Sequence, residues 1–472
     1  MTRENAIAAI EQYFDDGRFK NTLADRIACV TVSQEPAHSP DLFAYLDHTI
    51  APTLERLGFT FEIIDNPVQP ASPVLLASRV EPDAEFTLLT YGHGDVVRGY
   101  DAQWRDGLSP WCLAIDGDRW YGRGTADNKG QHTINLAALE AVLQARGHRL
   151  GYSVKIIFEM GEELGSPGLR DICREHKARL KADVFIASDG PRVRIDRPTL
   201  FLGSRGNFNF SLTLNARQGS HHSGNWGGLL SNPGIRLAHA IASMVGARGD
   251  IKVKGLLPDR LPDNVREALS TIEVGTNPGD PVIDSNWGEP GLTPAERVIA
   301  WNSFEVLAFK TGNPDAPVNA IPGHAIAHCQ LRYVVHSDYQ HFIEHMRSHL
   351  DEHGFSDVEI IPTRDRAPAT RLDPDNPWVQ TVKTSICHTT GTDLDLLPNL
   401  GGSLPNDAFS DILGLPTIWI PHSYAGCSQH APNEHLLGSV ARQSLRLMTG
   451  LFWDLGQSSN VPSELGRSTP TP

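Results

Sequence analysis

The chain has 472 residues, 40% hydrophobic and 21% charged, an ordinary balance for a soluble globular protein with room for more than one domain. Its 41 Lys+Arg against 56 Asp+Glu leave a net charge of −15, which repels phosphate backbones and anionic lipid and makes nucleic acid and membrane poor partners. No apolar run approaches a membrane span, the N-terminus lacks the apolar core of a signal peptide, and the six cysteines are scattered without a C-x-x-C pair, so the expected compartment is the reducing cytoplasm.

In chain order, "MTRENAIAAIEQYF" reads as an amphipathic helix and "FTLLTYGHGDV" as a strand running into a loop. The next segment, "DNKGQHTINLAALEAVLQAR", spaces Ile134, Ala137, Ala138, Ala141, Val142 and Ala145 as one face of a helix. "YSVKIIFEMGEE" and "ADVFIASDG" are again short apolar runs that end in acidic loops. Apolar strands alternating with helices predict an α/β fold, a mainly parallel sheet covered on both faces.

The texture changes at about Gly206. "NFNFSLTLNA" alternates like a half-exposed strand, and Pro/Gly-rich sequence lies between Leu256 and Pro294. "FEVLAFKTG", "AIAHCQLRYVV" and "VEIIPT" read as further strands, with an amphipathic helix in "SDYQHFIEHMRSHLDEHGF". This mixture predicts an α+β layer with an antiparallel sheet. Near "RLDPDNPWVQTV" the first texture resumes, and "ILGLPTIWIPH" is another buried strand. The expected organisation is an α/β domain in two segments, 1–206 and 371–456, interrupted by an inserted domain at 207–370. The Ser/Pro-rich tail, 457–472, has little to bury and is expected to be disordered.

Polar clusters sit where the predicted strands end: His93 with Asp95 in "GHGDV", Asp127 in "GRGTADNKG", Glu162-Glu163 in "EMGEELGS" and Asp189 in "ASDGPR". His430 in "SQHAPNEH" follows a late strand. Taken singly, each has a plainer reading. His93 and Asp95 read as a hydrogen-bonded buried pair, the glutamates as a solvated helix start, Asp127 as a helix cap and Asp189 as a turn residue. Taken together they differ, because loops at the carboxyl ends of strands in an open α/β sheet converge on one crevice. One imidazole and four carboxylates converging there repel unless cations neutralise them. An N/O donor set without thiolates suits zinc, with manganese or cobalt as near substitutes.

The series "GHGDVV", "GRGTADNKGQ", "FEMGEELGSPGL", "ASDGP", "HHSGNWGG", "NAIPGHA…QLRYV", "GGSLP" and "QHAPNEH" resembles the M20 metallopeptidases, in family order from about residue 80 to about 440. In texture it is nearest the carnosinase-like dipeptidases; aminoacylases, acetylornithine deacetylase and succinyl-diaminopimelate desuccinylase are related. The resemblance implies a di-zinc α/β catalytic domain with an inserted lid that also forms a homodimer. Asp127 would bridge two Zn2+ about 3.5–4 Å apart, followed by a cis bond to Asn128. His93 and Asp189 would complete one site, Glu163 and His430 the other, with Asp95 orienting His93.

By the same resemblance Glu162 is the general base, passing a proton from water to the leaving amine. His222 is the oxyanion donor, supplied across a dimer, with the adjacent His221 as its competitor. Arg332 and the backbone at Gly402-Ser403 would hold the substrate carboxylate, and Asn319 would touch substrate. The expected function is zinc-dependent hydrolysis of a dipeptide or an N-acyl amino acid. Dipeptidase and N-deacylase share every residue named. A metal-binding regulator without catalysis is the alternative of another class, disfavoured because Glu162 is retained beside all five ligands.

Overall fold

The computed structural model describes residues 2–277 and 280–462. Its largest sheet has eight strands in the order Thr60–Ile64, Val74–Arg79, Ser153–Glu159, Thr87–His93, Val184–Ala187, Thr417–Trp419, Thr199–Phe201 and Asp395–Leu397. The four central strands, from Ser153–Glu159 to Thr417–Trp419, run parallel. At one margin Thr60–Ile64 and Val74–Arg79 add antiparallel. At the other, Thr199–Phe201 joins antiparallel and Asp395–Leu397 pairs with it in parallel. The sheet is thus α/β and mainly parallel at its centre, where the strand ends gather.

The strand TLLTYGH at 87–93 shows why this sequence folds so. Leu88 points into a core shared with Ile134, Ala138 and Val142 of the helix Lys129–Ala145. Leu89 and Tyr91 point the other way, to Leu169, Ile172 and Phe409. A strand buried on both faces needs apolar residues at successive positions, which is the pattern read in the sequence. Truncating a fully buried leucine such as Leu88 to alanine costs about 2–5 kcal/mol. The long helices Arg3–Asp15, Pro377–Thr390 and Gly438–Leu455 pack on the Leu88 side.

The inserted part is a four-stranded antiparallel sheet in the order Ser303–Thr311, His324–Tyr333, Gly206–Asn215 and Glu359–Ala367. The helices Pro233–Met244 and Phe342–Glu352 close one face over Phe208, Phe210, Leu212, Leu237, Phe342 and Met346. The chain enters and leaves at a two-residue ladder, Gly203–Ser204 against Thr370–Arg371. Within 207–370, one stretch packs away from this sheet. Leu261, Val265, Leu269, Ala295 and Ile299 return to the core under the large sheet, beside Phe185 and Trp419. The Pro/Gly-rich sequence around them hid an apolar face too short to give a clear helical period.

No helix among the described residues is long and apolar enough to cross a membrane. Of the tail, residues 463–472 lie outside the described residues. Its start is laid on the fold, with a 3-10 turn at Ser458–Asn460 and the Asn460 amide donating to the Asp454 carbonyl at 3.1 Å.

Candidate active site

The crevice lies at the carboxyl ends of the central strands. His93 is the last residue of its strand and fully buried. Its Nε2 is 2.9 Å from Asp127 Oδ1 and 3.7 Å from Asp189 Oδ2. Asp127 and Asn128 are joined by a cis peptide bond, and the helix Lys129–Ala145 starts at the next residue. Close approach fixes that start, because a Cβ on Gly130 would fall 1.9 Å from the Thr125 carbonyl oxygen. The other oxygen of Asp127, Oδ2, meets His430 Nε2 at 3.1 Å, and the same nitrogen is 3.0 Å from Glu163 Oε2.

Two donor groups result, His93-Asp127-Asp189 and Asp127-Glu163-His430, and within each the donor atoms lie within 4.8 Å of one another. They share Asp127. One imidazole and two carboxylates per group form an all-N/O donor set that fits zinc, manganese or cobalt. Electrostatics favour cations there too. Burial pushes the Asp189 carboxyl up to about 6 and Glu163 up to about 7, and the Asp127 charge adds to both. Burial also raises Glu162 well above the usual carboxylate range, with Asp189 and Glu163 adding and His93 opposing. Asp127 stays low, because hydrogen bonds from His430 and His93 outweigh its burial. A divalent cation in each group would offset this repulsion.

Asp95 differs from the simple picture of two side chains on one strand face. The strand ends at His93, and His93 Nδ1 lies 3.1 Å from the Asp95 backbone carbonyl and 3.4 Å from its Oδ1. The Asp95 carboxylate accepts the Glu162 N–H at 3.2 Å and the Glu163 N–H at 3.1 Å. It therefore ties the histidine turn to the glutamate turn, a short 3-10 helix at Glu162–Leu164. Glu162 Oε2 comes within 3.9 Å of His93 Nε2, so the two glutamates diverge, Glu163 toward His430 and Glu162 toward His93.

Arg332 and Ser403 are brought together, with the guanidinium donating to Ser403 Oγ at 2.8 Å. Gly402 shares that loop. The loop abuts the turn after Asp189, where Leu400 side-chain carbons lie 3.6 Å and 3.9 Å from the Cβ position of Gly190. Arg205, not singled out in the sequence, supports the loop from beneath, its Nε donating to the Gly401 carbonyl at 2.9 Å. His221, His222 and Asn319 lie elsewhere. His221–His222 pairs with Ala320–Ile321, and Ser223 N–H donates to the Asn319 carbonyl at 2.9 Å. Within the chain no hydrogen bond or ion pair among the described residues joins them to the carboxylate crevice, and His222 and Asn319 are exposed.

Sequence reasoning assigned no side-chain role to Gln429, whose amide donates to Asp127 Oδ2, or to Asn128, whose Nδ2 donates to the Ser188 carbonyl at 2.9 Å. It passed over Glu434 as well, which accepts three N–H groups of the Asp127 loop. Gln429 sits beside a ligand candidate and could have been suspected. Lone amides and a lone glutamate carry no pattern of their own.

A sequence model described as peptidase family M20/M25/M40 matches residues 89–453. The chain is 26% identical to the human Beta-Ala-His dipeptidase over 477 residues, covering 94% of this chain and 92% of that protein. It is 26% identical over 392 residues to the cysteinylglycine-S-conjugate dipeptidase of Corynebacterium striatum, 82% of this chain and 84% of that one. The fold is similar to the M20 family metallo-carboxypeptidase Sso-CP2 of Sulfolobus solfataricus, with a TM-score of 0.76 at 24% identity, covering 93% and 99% of the two chains. The chain therefore belongs to peptidase family M20/M25/M40 and is a metallohydrolase.

Proposed function

We propose that this protein is a two-zinc dipeptidase. The observation that carries the reading is the pair of buried donor groups sharing Asp127. Similarity to dipeptidases along nearly the whole chain supports the substrate class. His93, Asp127 and Asp189 hold one metal; Asp127, Glu163 and His430 hold the other. Bound there, two divalent cations would supply Lewis acidity to the scissile carbonyl and would lower the pKa of water toward 7.

The chain's own residues do the rest. Glu162 takes the proton of the attacking water and delivers it to the departing amine. Asp95 holds the backbone of both glutamates so that their carboxylates diverge. Arg332, with Ser403 and the Gly402 backbone, binds the C-terminal carboxylate of the dipeptide, and Asn319 adds a contact from the lid. Arg332 donates to the Ser403 hydroxyl and the Gln330 amide oxygen, and no carboxylate among the described residues pairs with it, which leaves its charge free for the substrate.

The segment 207–370 serves as lid and dimerisation domain, and His222 reaches the oxyanion of the partner subunit. Support comes from the edge strand Ser303–Thr311, which exposes Val306, Leu307 and Phe309 on a sheet margin with unpaired backbone groups. All six cysteines are free, which supports a cytoplasmic setting.

The test is metal analysis followed by a screen of dipeptides and N-acyl amino acids, with a chelated sample as control. Two metals per chain and chelator-sensitive cleavage of dipeptides are expected. Hydrolysis of N-acyl amino acids alone would replace the dipeptidase reading with a deacylase.

A further inference from the structure

Glu434 is buried, 1% exposed, and outside the donor groups. Its Oε1 accepts the backbone N–H groups of Gly124 at 3.0 Å, Ala126 at 3.0 Å and Asp127 at 3.1 Å. Its Oε2 accepts from Arg123 Nη1 at 2.7 Å. Its backbone carbonyl accepts Gly122 N–H at 3.0 Å. One residue, by its side chain and its backbone carbonyl, thus gathers the turn 122–127 that delivers Asp127.

The loop that delivers His430 runs into the same residue. Three non-glycine residues there, Ser428, His430 and Asn433, have positive φ of 58°, 61° and 62°. Such backbone is disfavoured for L-residues and persists only where its surroundings hold it. The loop is pinched at its base by the His435 N–H on the Cys427 carbonyl at 2.9 Å. Beyond it, His435–Leu437 pairs with Arg119–Tyr121, the strand that leads into the Asp127 turn. Glu434 therefore sits where the two ligand-bearing loops meet.

We propose that Glu434 is a positioning residue for the metal centre, fixing Asp127 relative to His430. The proposal rests on the two-metal reading above. Three N–H donors and a guanidinium converge on Glu434, so its negative charge is needed. Glu434→Gln presents an amide nitrogen either to the backbone donors, which then lose their acceptor, or to the buried Arg123 guanidinium, a donor-on-donor contact that drives the side chain off the backbone donors. Outer partners of metal ligands are commonly worth about 10–100-fold in metal affinity.

The experiment is Co2+ titration of the metal-free full-length protein, in competition with a chelator, with far-UV circular dichroism of the metal-free form alongside. Glu434→Gln should weaken Co2+ binding by about 10–100-fold. Arg123→Met removes the ion pair and leaves the three N–H bonds, so it should lower the metal-free Tm and bind Co2+ like the wild type. Unchanged affinity in folded Glu434→Gln overturns the proposal, and so does equal weakening in Arg123→Met, which would mark a merely structural role. If Glu434→Gln does not fold, Glu434→Asp decides: it keeps the charge but is one methylene short, and wild-type Co2+ affinity in it overturns the proposal. A wild type that binds no Co2+ fails the two-metal reading itself.

Discussion

His430 Nε2 stands 3.1 Å from Asp127 Oδ2, across 303 residues of chain. With His93 on the other oxygen at 2.9 Å, Asp127 has one oxygen for each donor group. Asp127→Asn puts an amide nitrogen where one oxygen was and removes the charge common to both groups. Metal analysis of this variant should show loss of both ions against two per chain in the wild type. Retention of one tightly bound ion would mean that Asp127 serves a single site.

The adjacent glutamates separate binding from chemistry. Glu163 Oε2 faces His430 at 3.0 Å, whereas Glu162 Oε2 is 3.9 Å from His93. Glu162→Gln should keep both metals and lose about 10²–10⁴-fold in kcat, the usual worth of a general base. Glu163→Gln should lose one metal. The reverse pattern would exchange the two assignments.

Arg332 offers a charge to a substrate carboxylate. A charge-assisted hydrogen bond is worth about 1.5–3 kcal/mol, so Arg332→Met should raise KM for a dipeptide by about 10–100-fold, with a smaller change in kcat. A C-terminally amidated dipeptide should be a poor substrate for the wild type and nearly indifferent to the substitution. Equal loss on both substrates would place Arg332 away from the carboxylate.

His222 lies on an exposed two-residue ladder against Ala320–Ile321 rather than in its own chain's crevice. Its transfer to a partner's site predicts complementation. His222→Ala and Glu162→Gln homodimers should each be impaired, His222→Ala by about 10²–10³-fold in kcat. A verified heterodimer has one site with an intact base and an intact lid histidine, and should recover activity. No recovery would assign the histidine to its own chain or the role to His221.

The chemistry-bearing residues were legible because they end apolar runs. "FTLLTYGHGDV", "KIIFEMGEE" and "VFIASDG" each announce a strand buried on both faces, and a polar residue straight after such a strand has to lie at the sheet's end. That local logic named His93, Glu162, Glu163 and Asp189 as neighbours, and His430 by its place after the strand at Thr417–Trp419; Asp127, also expected at a strand end of this sheet, instead follows the short strand Arg119–Tyr121 of a separate three-stranded sheet. The amphipathic helices at Arg3–Asp15 and Phe342–Glu352 were legible for the same reason, from a repeat within a few turns.

Tertiary structure decided what depends on contacts between distant segments. Asp95 was expected to orient His93; its Oδ1 lies 3.4 Å from His93 Nδ1, and the same carboxylate also accepts the backbone N–H groups of Glu162 and Glu163, 67 and 68 residues on. Leu261, Val265, Leu269, Ala295 and Ile299 pack under the large sheet, whose second face they help cover. Glu434 became the joint between two ligand loops only when Arg119–Tyr121 paired with His435–Leu437. Periodicity records which face of an element is apolar. It does not record which backbone N–H a buried carboxylate will meet, since that partner is set by packing across hundreds of residues.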